Sequence, residues 1–412
     1  MGEHLILLTK NYPFDHGEEF IENEITYLSG AFRKITVIAT ACSCSSKRTR
    51  EIPANAAAYK LTDSSNRIAR YVSNIIKGLF LTGRKEVKAE IRNVKGAKRK
   101  VAVLYLAARA RGIFHKIIKD QKICADIMSD GSLIYCYWFL DLPLAAAYLK
   151  EAMPHPDQCA IISRAHGYDL YEERSAASFH PFRKFVFDTI NCVFPCSENG
   201  TQYLKNRYPA YAEKIKTAYL GTKDCGAAEK TETHACRIVT CSGLTPIKRL
   251  HLLAEALCLI DRQFGAGISW YCIGDGPQRT ELREMTADLK NVHADFLGHM
   301  DNQCVMEYYK KLSPDLFINV SSSEGLPVSV MEAISMGIPV LATDVGGTRE
   351  IVIDGVTGQL LPKDITPEKL AEEIMSFMNS GKAYPEARAF WNRHFNAESN
   401  YREFAGYIAT LS

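Results

Sequence analysis

The chain has 412 residues, of which 47% are hydrophobic and 24% charged, with a formal net charge of +3. This length exceeds what one hydrophobic core usually serves, so two domains of roughly 200 residues each are expected. The small net charge argues against a nucleic-acid-binding protein. The cysteines are scattered and number thirteen, which indicates reduced thiols and excludes a disulfide-rich secreted class.

The first apolar run is Leu5–Leu8, which is too short for a signal-peptide core or a membrane-spanning helix. Together with the reduced cysteines, this run predicts a soluble, cytoplasmic protein.

Short apolar and β-branched runs alternate with helical patterns along the chain, which predicts parallel strands joined by crossover helices. The first half has five strand candidates: His4–Leu8, Ile35–Ala39, Leu133–Tyr137, Ala160–Arg164 and Asn191–Phe194. The second half has five more: Arg237–Ser242, Ile268–Ile273, Val292–Leu297, Leu316–Val320 and Pro339–Ala342. Each half is therefore predicted to form its own α/β domain with a Rossmann-like, doubly wound parallel sheet.

The break between the halves is expected near Tyr219–Thr222, where a strand-like run gives way to a polar segment. This predicts an N-terminal domain over 1–222 and a C-terminal domain over 223–388. An aromatic-rich helical segment over 389–412 is expected to cross back and pack on the first domain. Ligands of open α/β sheets bind beyond the carboxyl ends of the strands, so two such sheets facing across a cleft would hold two ligands.

A basic helical insertion at about 65–120 interrupts the first half. Between Arg84 and Lys119 there are twelve Lys or Arg against Glu86 and Glu90, interleaved with or flanked by apolar residues. This pattern is typical of a basic amphipathic helix pair that docks on an anionic membrane surface. It equally fits a solvated helix face over core residues. Without a stacking platform or a helix-turn-helix pattern, nucleic acid is not an expected partner.

Polar residues follow two strands of the first half. Asp15, His16 and Gly17 follow the first strand, where Asp15 and His16 could contact a ligand or equally form a helix N-cap group. Arg164 and His166 stand where the fourth strand candidate ends. Loops at strand ends often carry binding residues, although a histidine there is also commonly structural.

The second half carries a lysine and a glycine turn at corresponding places. Lys248 and Arg249 follow the strand Arg237–Ser242, and Gly274, Gly276 and Pro277 follow the next strand. Taken alone, such a lysine is ordinarily solvated and such glycines ordinarily make a plain turn.

The most specific stretch runs from Val320 to Val340. A strand ends at Val320, a polar loop follows, and a helix is predicted to begin near Pro327. That arrangement directs backbone N–H groups and the positive end of the helix at a ligand, which suits a diphosphate. Glu324 and Glu332 are eight residues apart, roughly 12 Å along a helix, so a nucleotide sugar with hydroxyls at both ends could meet both carboxylates.

This stretch resembles the signature of glycosyltransferase family 4, the "group 1" retaining enzymes with the GT-B fold. The resemblance rests on Glu324-Gly-Leu-Pro-x3-Met-Glu332-Ala, followed by Gly337-Ile-Pro-Val, Asp344-Val-Gly-Gly-x2-Glu350 and Asp354-Gly-x2-Gly358. It implies that Glu324 approaches the donor sugar and Glu332 the nucleotide ribose. Backbone amides around Gly325, Leu326, Pro327 and Val328 would hold sugar hydroxyls and phosphate.

The resemblance extends to the other motifs. It implies that Lys248 contacts the donor diphosphate, while Gly243 stands where members commonly carry an arginine, a role that Arg249 could supply. It also implies a ligand contact for each remaining candidate. Gly274, Gly276 and Pro277 would lie beside the nucleotide base, and Gly17 would admit the donor phosphate. His166 would approach the reacting sugar, and Asp15, His16 and Arg164 would face the acceptor.

The function implied is transfer of a hexose, with retention, from a UDP- or GDP-sugar to a glycan or lipid-linked acceptor in cell-surface polysaccharide synthesis. The catalytic candidates are His166, Lys248 and Glu324. No Asp-x-Asp stands at a strand end, so neither a divalent metal nor another cofactor is expected. The alternatives are a nucleotide-sugar epimerase or a phosphorylase of the same fold, or a non-catalytic sugar-binding scaffold. The expected location is the cytoplasm, or the inner membrane face as a peripheral protein.

Overall fold

The computed structural model describes residues 1–15, 17–63, 66–128, 131–228, 235–380 and 384–412. The chain forms two compact units, the first comprising Met1–Tyr219 with Glu398–Ser412 and the second Leu220–Ala397. Each unit contains a six-stranded parallel sheet with flanking helices. The prediction of two doubly wound α/β domains is therefore confirmed. All thirteen cysteines are free thiols.

The sheet of the first unit has the strand order β3-β2-β1-β4-β5-β6. Its strands are β1 Gly2–Thr9, β2 Phe32–Cys42, β3 Ala56–Thr62, β4 Ser132–Cys136, β5 Ala160–Ala165 and β6 Cys192–Pro195. In β1, Leu5 and Leu7 belong to one buried apolar cluster and Ile6 and Leu8 to another. Successive side chains of a strand point to opposite faces of the sheet, so these two clusters lie on opposite faces. Both faces are therefore covered, which explains why β1 is a continuous apolar run in the sequence.

In the described part of Met1–Tyr219, eight α-helices lie between these strands or directly after β6. They are α1 Ile21–Ala31, α2 Arg67–Leu79, α3 Lys85–Asn93, α4 Ala97–Lys119, α5 Gln121–Ile127, α6 Asp141–Ala152, α7 Arg183–Thr189 and α8 Glu198–Arg207. The insertion at about 65–120 thus comprises three helices, and two of them, α3 and α4, are the pair predicted over 84–119. Residues 94–96 separate this pair, and residues 81–84 separate it from α2. Among the described helices, none is both long enough and apolar enough to cross a bilayer.

The sheet of the second unit has the order β12-β11-β10-β7-β8-β9. Its strands are β7 Cys236–Cys241, β8 Ile268–Ile273, β9 Val292–Gly298, β10 Leu316–Asn319, β11 Val340–Thr343 and β12 Gly358–Leu361. Its helices are α9 Leu250–Gln263, α10 Arg279–Thr286, α11 Asn302–Leu312, α12 Val328–Ser335, α13 Thr348–Ile351, α14 Pro367–Ser380 and α15 Ala387–His394. Trp270 on β8 is fully buried and donates its indole N–H to Thr240 on β7.

Both sheets share one topology. Counted within each unit, the strand order is 3-2-1-4-5-6, so the winding direction reverses between β1 and β4 and again between β7 and β10. Ligands of doubly wound sheets bind in the crevice outside the carboxyl ends of the strands at such a switch point. The switch points therefore lie at the loops after β1 and β4 in the first unit and at those after β7 and β10 in the second.

The C-terminal segment differs from the prediction of one helix over 389–412. Helix α15 belongs to the second unit, where Trp391 donates its indole N–H to Thr222. A further helix, α16 Ala397–Ala409, begins at the unit boundary, and its Phe404 and Ile408 lie in the apolar core of the first unit. The segment is two helices because Phe395, with φ of −132°, leaves the helical conformation and ends α15.

Candidate functional site

An ion pair marks the switch point of the second unit. Lys248 closes a short 3₁₀ turn in the loop after β7, and Glu324 lies in the loop after β10. Because β7 and β10 are hydrogen-bonded neighbours, these loops meet, and Lys248 Nζ lies 2.7 Å from Glu324 Oε1. Asn319 at the end of β10 donates its amide N–H to the same oxygen at 3.3 Å. The Glu324 side chain is only 10% exposed.

Arg249 joins the two loops. Its Nε donates to the carbonyl of Val320 at 2.8 Å, and its Nη2 donates to that of Ser321 at 3.2 Å. The sequence suggested Arg249 as a second phosphate clamp. In the structure this guanidinium holds the loop after β10, and its contact with phosphate stays a prediction.

Gly274 and Gly276 lie where two loop backbones touch. A Cβ on Gly274, whose φ is +128°, would lie 1.9 Å from the carbonyl oxygen of Ser242, and one on Gly276 would lie 2.4 Å from that of Leu244. Glycine is needed here because the loop after β8 packs directly on the loop that carries Lys248. Pro277 follows them on the surface.

Gly346, in the loop after β11, packs against the backbone of Glu324. Its φ is +56°, and a Cβ on this glycine would lie 2.0 Å from the carbonyl oxygen of Glu324. The neighbouring Gly347 donates its N–H to Gly325 O at 2.8 Å. The loop after β11 therefore fixes the backbone of the Glu324 loop.

Alanine at Gly346 is expected to destabilise the fold more than alanine at Gly337. Both glycines have a positive φ, so each substitution costs about 1–2 kcal/mol in backbone strain. Only the Gly346 variant also forces a methyl group onto the Glu324 backbone, since nothing lies within 4 Å of a Cβ on Gly337. Urea unfolding of both variants measures this difference, and equal losses of unfolding free energy would show that the Glu324 loop yields without cost.

Glu332 is buried on the helix that follows this loop. Pro327 precedes α12, and Glu332 lies one turn inside the helix, where Asn302 donates its side-chain amide to Oε1. Burial raises the pKa of Glu332 to about 7, and the bond from Asn302 only partly opposes this. The carboxyl group therefore exchanges its proton near neutral pH. Gly325, Leu326 and Val328 belong to the same loop and helix start.

The corresponding loops of the first unit hold a charged and aromatic cluster that the sequence analysis did not single out. Glu18, with φ of +61°, accepts the backbone N–H groups of Lys10, Asn11 and Tyr12 and the indole N–H of Trp138. Lys10 Nζ lies 5.0 Å from the Trp138 ring centroid. Burial lowers the pKa of Lys10 despite nearby carboxylates.

His166 lies beside this cluster, directly after β5. Its ring centroid is 4.6 Å from that of Trp138, 5.2 Å from that of Tyr137 and 5.5 Å from that of Phe20. Asp169 accepts the backbone N–H of His166 at 2.8 Å, and Asp169 Oδ2 lies 3.8 Å from His166 Nδ1. A short loop thus holds the imidazole against aromatic rings at the carboxyl edge of the first sheet.

Comparison with known proteins connects this geometry to a family. A family model described as glycosyl transferases group 1 matches residues 229–392. An uncharacterized glycosyltransferase of Methanocaldococcus jannaschii is 32% identical over 279 residues, which cover 66% of this chain and 72% of that protein. The chain belongs to the group 1 glycosyltransferases.

Other similarities agree with this family. A putative colanic acid biosynthesis glycosyltransferase, WcaL of Salmonella typhimurium, is 24% identical over 259 residues, 60% of this chain and 63% of that protein. Anabaena HepE, solved in complex with UDP, aligns over 99% of this chain and 100% of its own with a TM-score of 0.61 and 16% identity. That structural likeness shows the shared fold, which is GT-B.

In this glycosyltransferase the structure brings Lys248 and Glu324 into contact and places Glu332 on the adjoining helix. The matched region 229–392 contains all three. In the first unit, Lys10 and Trp138 were missed, although Trp138 directly follows one predicted strand and Lys10 lies two residues beyond another. Their places just beyond the carboxyl ends of predicted strands were the signal that the sequence offered. In the structure β1 pairs with β4 in the register Leu8↔Cys136, which brings these two strand ends side by side.

The predicted acceptor residues have different outcomes. Arg164 is fully buried, pairs with Glu24 at 3.2 Å and donates to Tyr135, so the prediction that it faces the acceptor is wrong. Its guanidinium holds the core of the first unit together instead. Asp15 is half-buried and accepts the Ser46 hydroxyl. His16 lies outside the described residues.

Gly17, predicted to admit the donor phosphate, has a φ of +94°. Its N–H donates to Glu19 Oε1 at 2.7 Å. Gly17 thus forms a tight turn in the loop after β1, and its contact with phosphate stays a prediction.

Proposed function

We propose that this group 1 glycosyltransferase transfers a hexose from a UDP- or GDP-sugar to a glycan or lipid-linked acceptor in cell-surface polysaccharide synthesis, with retention of configuration. The observation that carries the proposal is the Lys248–Glu324 pair at the switch point of the second unit, with the buried Glu332 on the next helix. The colanic acid relative and the UDP complex of HepE support it.

The donor lies at the second unit in this proposal. Lys248 turns from Glu324 to the diphosphate, where negative charge grows as the glycosidic bond to phosphate breaks. Glu324, released from its ion pair, accepts hydrogen bonds from sugar hydroxyls. Glu332 accepts the ribose hydroxyls, for which an ionised carboxylate is a strong acceptor. The N–H groups at the start of α12 add a favourable dipole for phosphate.

The acceptor is assigned to the first unit. The acceptor hydroxyl attacks the anomeric carbon on the face from which the diphosphate leaves, and its proton passes to the departing phosphate oxygen. His166 contacts the reacting sugar. Its neighbour Lys10, over the Trp138 ring, offers a cation beside an aromatic surface that suits the apolar face of a sugar ring. The reaction as proposed uses neither a metal ion nor another cofactor.

A lipid-linked acceptor lies in a membrane, and the basic segment 84–119 would bring the enzyme to that surface. Twelve Lys or Arg against two Glu favour contact with anionic headgroups by about 1 kcal/mol for each basic side chain near the surface. We therefore place the enzyme at the inner membrane face as a peripheral protein.

A panel of UDP- and GDP-sugars tests the donor. The expected result is a rise in melting temperature with one nucleotide sugar, slow hydrolysis of that sugar and no change when a chelator is added, because a bound ligand stabilises the folded state. Proton NMR of the first-formed product reports retention. If no nucleotide sugar binds at millimolar concentration to folded protein, the donor site is refuted and a scaffold role replaces it.

A further inference from the structure

Helix α2 carries its apolar face outwards. Six large apolar side chains near one another on this helix and its C-cap are between 48% and 85% exposed: Ile68, Tyr71, Val72, Ile76, Leu79 and Phe80. They recur at spacings of three and four residues, which places them along one side of the helix. We call this set the α2 apolar face.

Helix α2 contacts α4 through Gly78, which lies outside the apolar face, and through Tyr71 at the edge of that face, whose ring centroid is 5.0 Å from that of Tyr105. A Cβ on Gly78 would lie 2.3 Å from the carbonyl oxygen of Leu104, so the two helices touch at this glycine. Asn74 and Arg70, one and two turns earlier on the same side, are half-buried. An amphipathic helix usually buries its apolar side, whereas the large apolar side chains of the α2 apolar face are exposed.

The apolar side chains of α4 do not share this exposure. Val103, Ala107, Ala110 and Ile117 are fully buried in the core of the first unit. The apolar residues within the basic segment are therefore largely core residues, and the exposed apolar surface of the insertion is on α2.

Basic side chains follow the α2 apolar face closely in the chain. Residues 66–119 contain fifteen Lys or Arg and two Glu. Exposed members of α3, its flanks and the first turn of α4 are Lys85, Lys88, Arg92, Lys95, Lys98 and Lys100.

Both glutamates turn away from the solvent. Glu86 pairs with Arg84 at 2.7 Å and accepts the Tyr148 hydroxyl, and Glu90 accepts the N–H of Phe182 at 2.8 Å. The solvent side of the insertion is therefore strongly cationic.

We propose that the α2 apolar face inserts into the interfacial layer of an anionic phospholipid bilayer while the exposed lysines of α3 and the first turn of α4 contact the headgroups. An exposed apolar helix side together with a cationic segment close to it in the chain is what such an interface takes up. A second copy of this chain fits poorly, because a two-fold interface would bring the cationic surface against itself. Nucleic acid would leave the aliphatic side chains uncovered.

The inference deepens the proposed membrane association and rests on it. Sedimentation of the full chain with phosphatidylcholine vesicles, with and without phosphatidylglycerol, is the first measurement. Ile76→Ser/Phe80→Ser is expected to weaken binding to the anionic vesicles by at least about tenfold, since each large side chain loses apolar burial. Phe264→Ser, at an exposed aromatic residue of the second unit, is the matched control and should bind like wild type.

Charge and depth are tested separately. Lys98→Glu/Lys100→Glu is expected to weaken binding to anionic vesicles, while Lys290→Glu in the second unit is not. Brominated acyl chains are expected to quench the added fluorescence of Phe80→Trp. Binding without that quenching, or undiminished binding of the serine variant, would overturn insertion while leaving surface association intact.

Two further outcomes separate the proposals. If wild type does not sediment with anionic vesicles, insertion and membrane association both fail, and the nucleotide-sugar panel still judges the donor site independently. If vesicle binding depends on the α2 apolar face but no nucleotide sugar binds, insertion stands and the donor site fails.

Discussion

Replacing Lys248 by alanine is expected to lower the turnover of sugar transfer by about 10²–10³-fold, the usual effect of removing one group that stabilises developing charge. Lys248 Nζ lies at the topological switch point, 2.7 Å from Glu324. In the proposed reaction this ammonium faces the diphosphate as the bond to the sugar breaks. Because the charge on the leaving group grows in the transition state, the loss should appear mainly in kcat rather than in KM.

The ion pair between Lys248 and Glu324 means that Lys248→Ala changes stability as well as turnover, so a control variant is needed that separates the two effects. Removing Lys248 leaves the Glu324 carboxylate buried without its cation, which lowers stability as well as turnover. Lys248→Met/Glu324→Gln removes both charges at once, so its unfolding free energy should exceed that of Lys248→Ala. Lys363→Ala, at an exposed lysine of the same unit, should behave like wild type. A folded Lys248→Ala enzyme with unchanged kcat would remove Lys248 from the reaction.

Ten of the twelve strands could be predicted from the sequence, and the two missed strands have a common cause. Both are edge strands. Strand β3 lies at the edge of the first sheet opposite β6, and β12 lies at the edge of the second sheet opposite β9. β3 reads Ala-Ala-Ala-Tyr-Lys-Leu-Thr and is mostly half-buried, and β12 has four residues. Alanine favours helix, and an outer strand needs no continuous apolar run, so neither carried a strand signal.

The residues of the candidate donor site were easier to select from the sequence than those of the surfaces around it. Glu324, Glu332 and Lys248 were singled out because the family motifs fix residue type and spacing together, and their contact with the donor stays a prediction. Arg164 was misplaced because its partner Glu24 is 140 residues earlier, and no local pattern shows that an arginine at a strand end will be fully buried. The outward orientation of α2 was hidden for the same reason, since periodicity identifies an apolar side but not what covers it.

Replacing Glu332 by alanine is expected to weaken donor binding by about 10²-fold, because two hydroxyl bonds to a charged acceptor are lost. The ionised carboxylate is the better acceptor, and burial raises the pKa of Glu332 to about 7. Wild-type affinity should therefore rise as the pH increases through about 7 and then level off. Glu332→Gln should bind more weakly and show no such rise. Calorimetric titration with the donor from the panel measures both, and pH-independent wild-type binding would contradict the assignment.

The same carboxyl group predicts how stability changes with pH. Its folded pKa lies above the usual value of 4.5, so below 4.5 it is protonated in both states and its contribution to stability is fully present. As the pH rises from 4.5 to about 7, the unfolded carboxyl ionises while the buried one keeps its proton, and the unfolding free energy falls. Glu332→Gln removes this decline. Its advantage over wild type in urea unfolding should therefore grow across that window to about 3 kcal/mol, whereas parallel profiles would mean that Glu332 is already ionised in the folded enzyme.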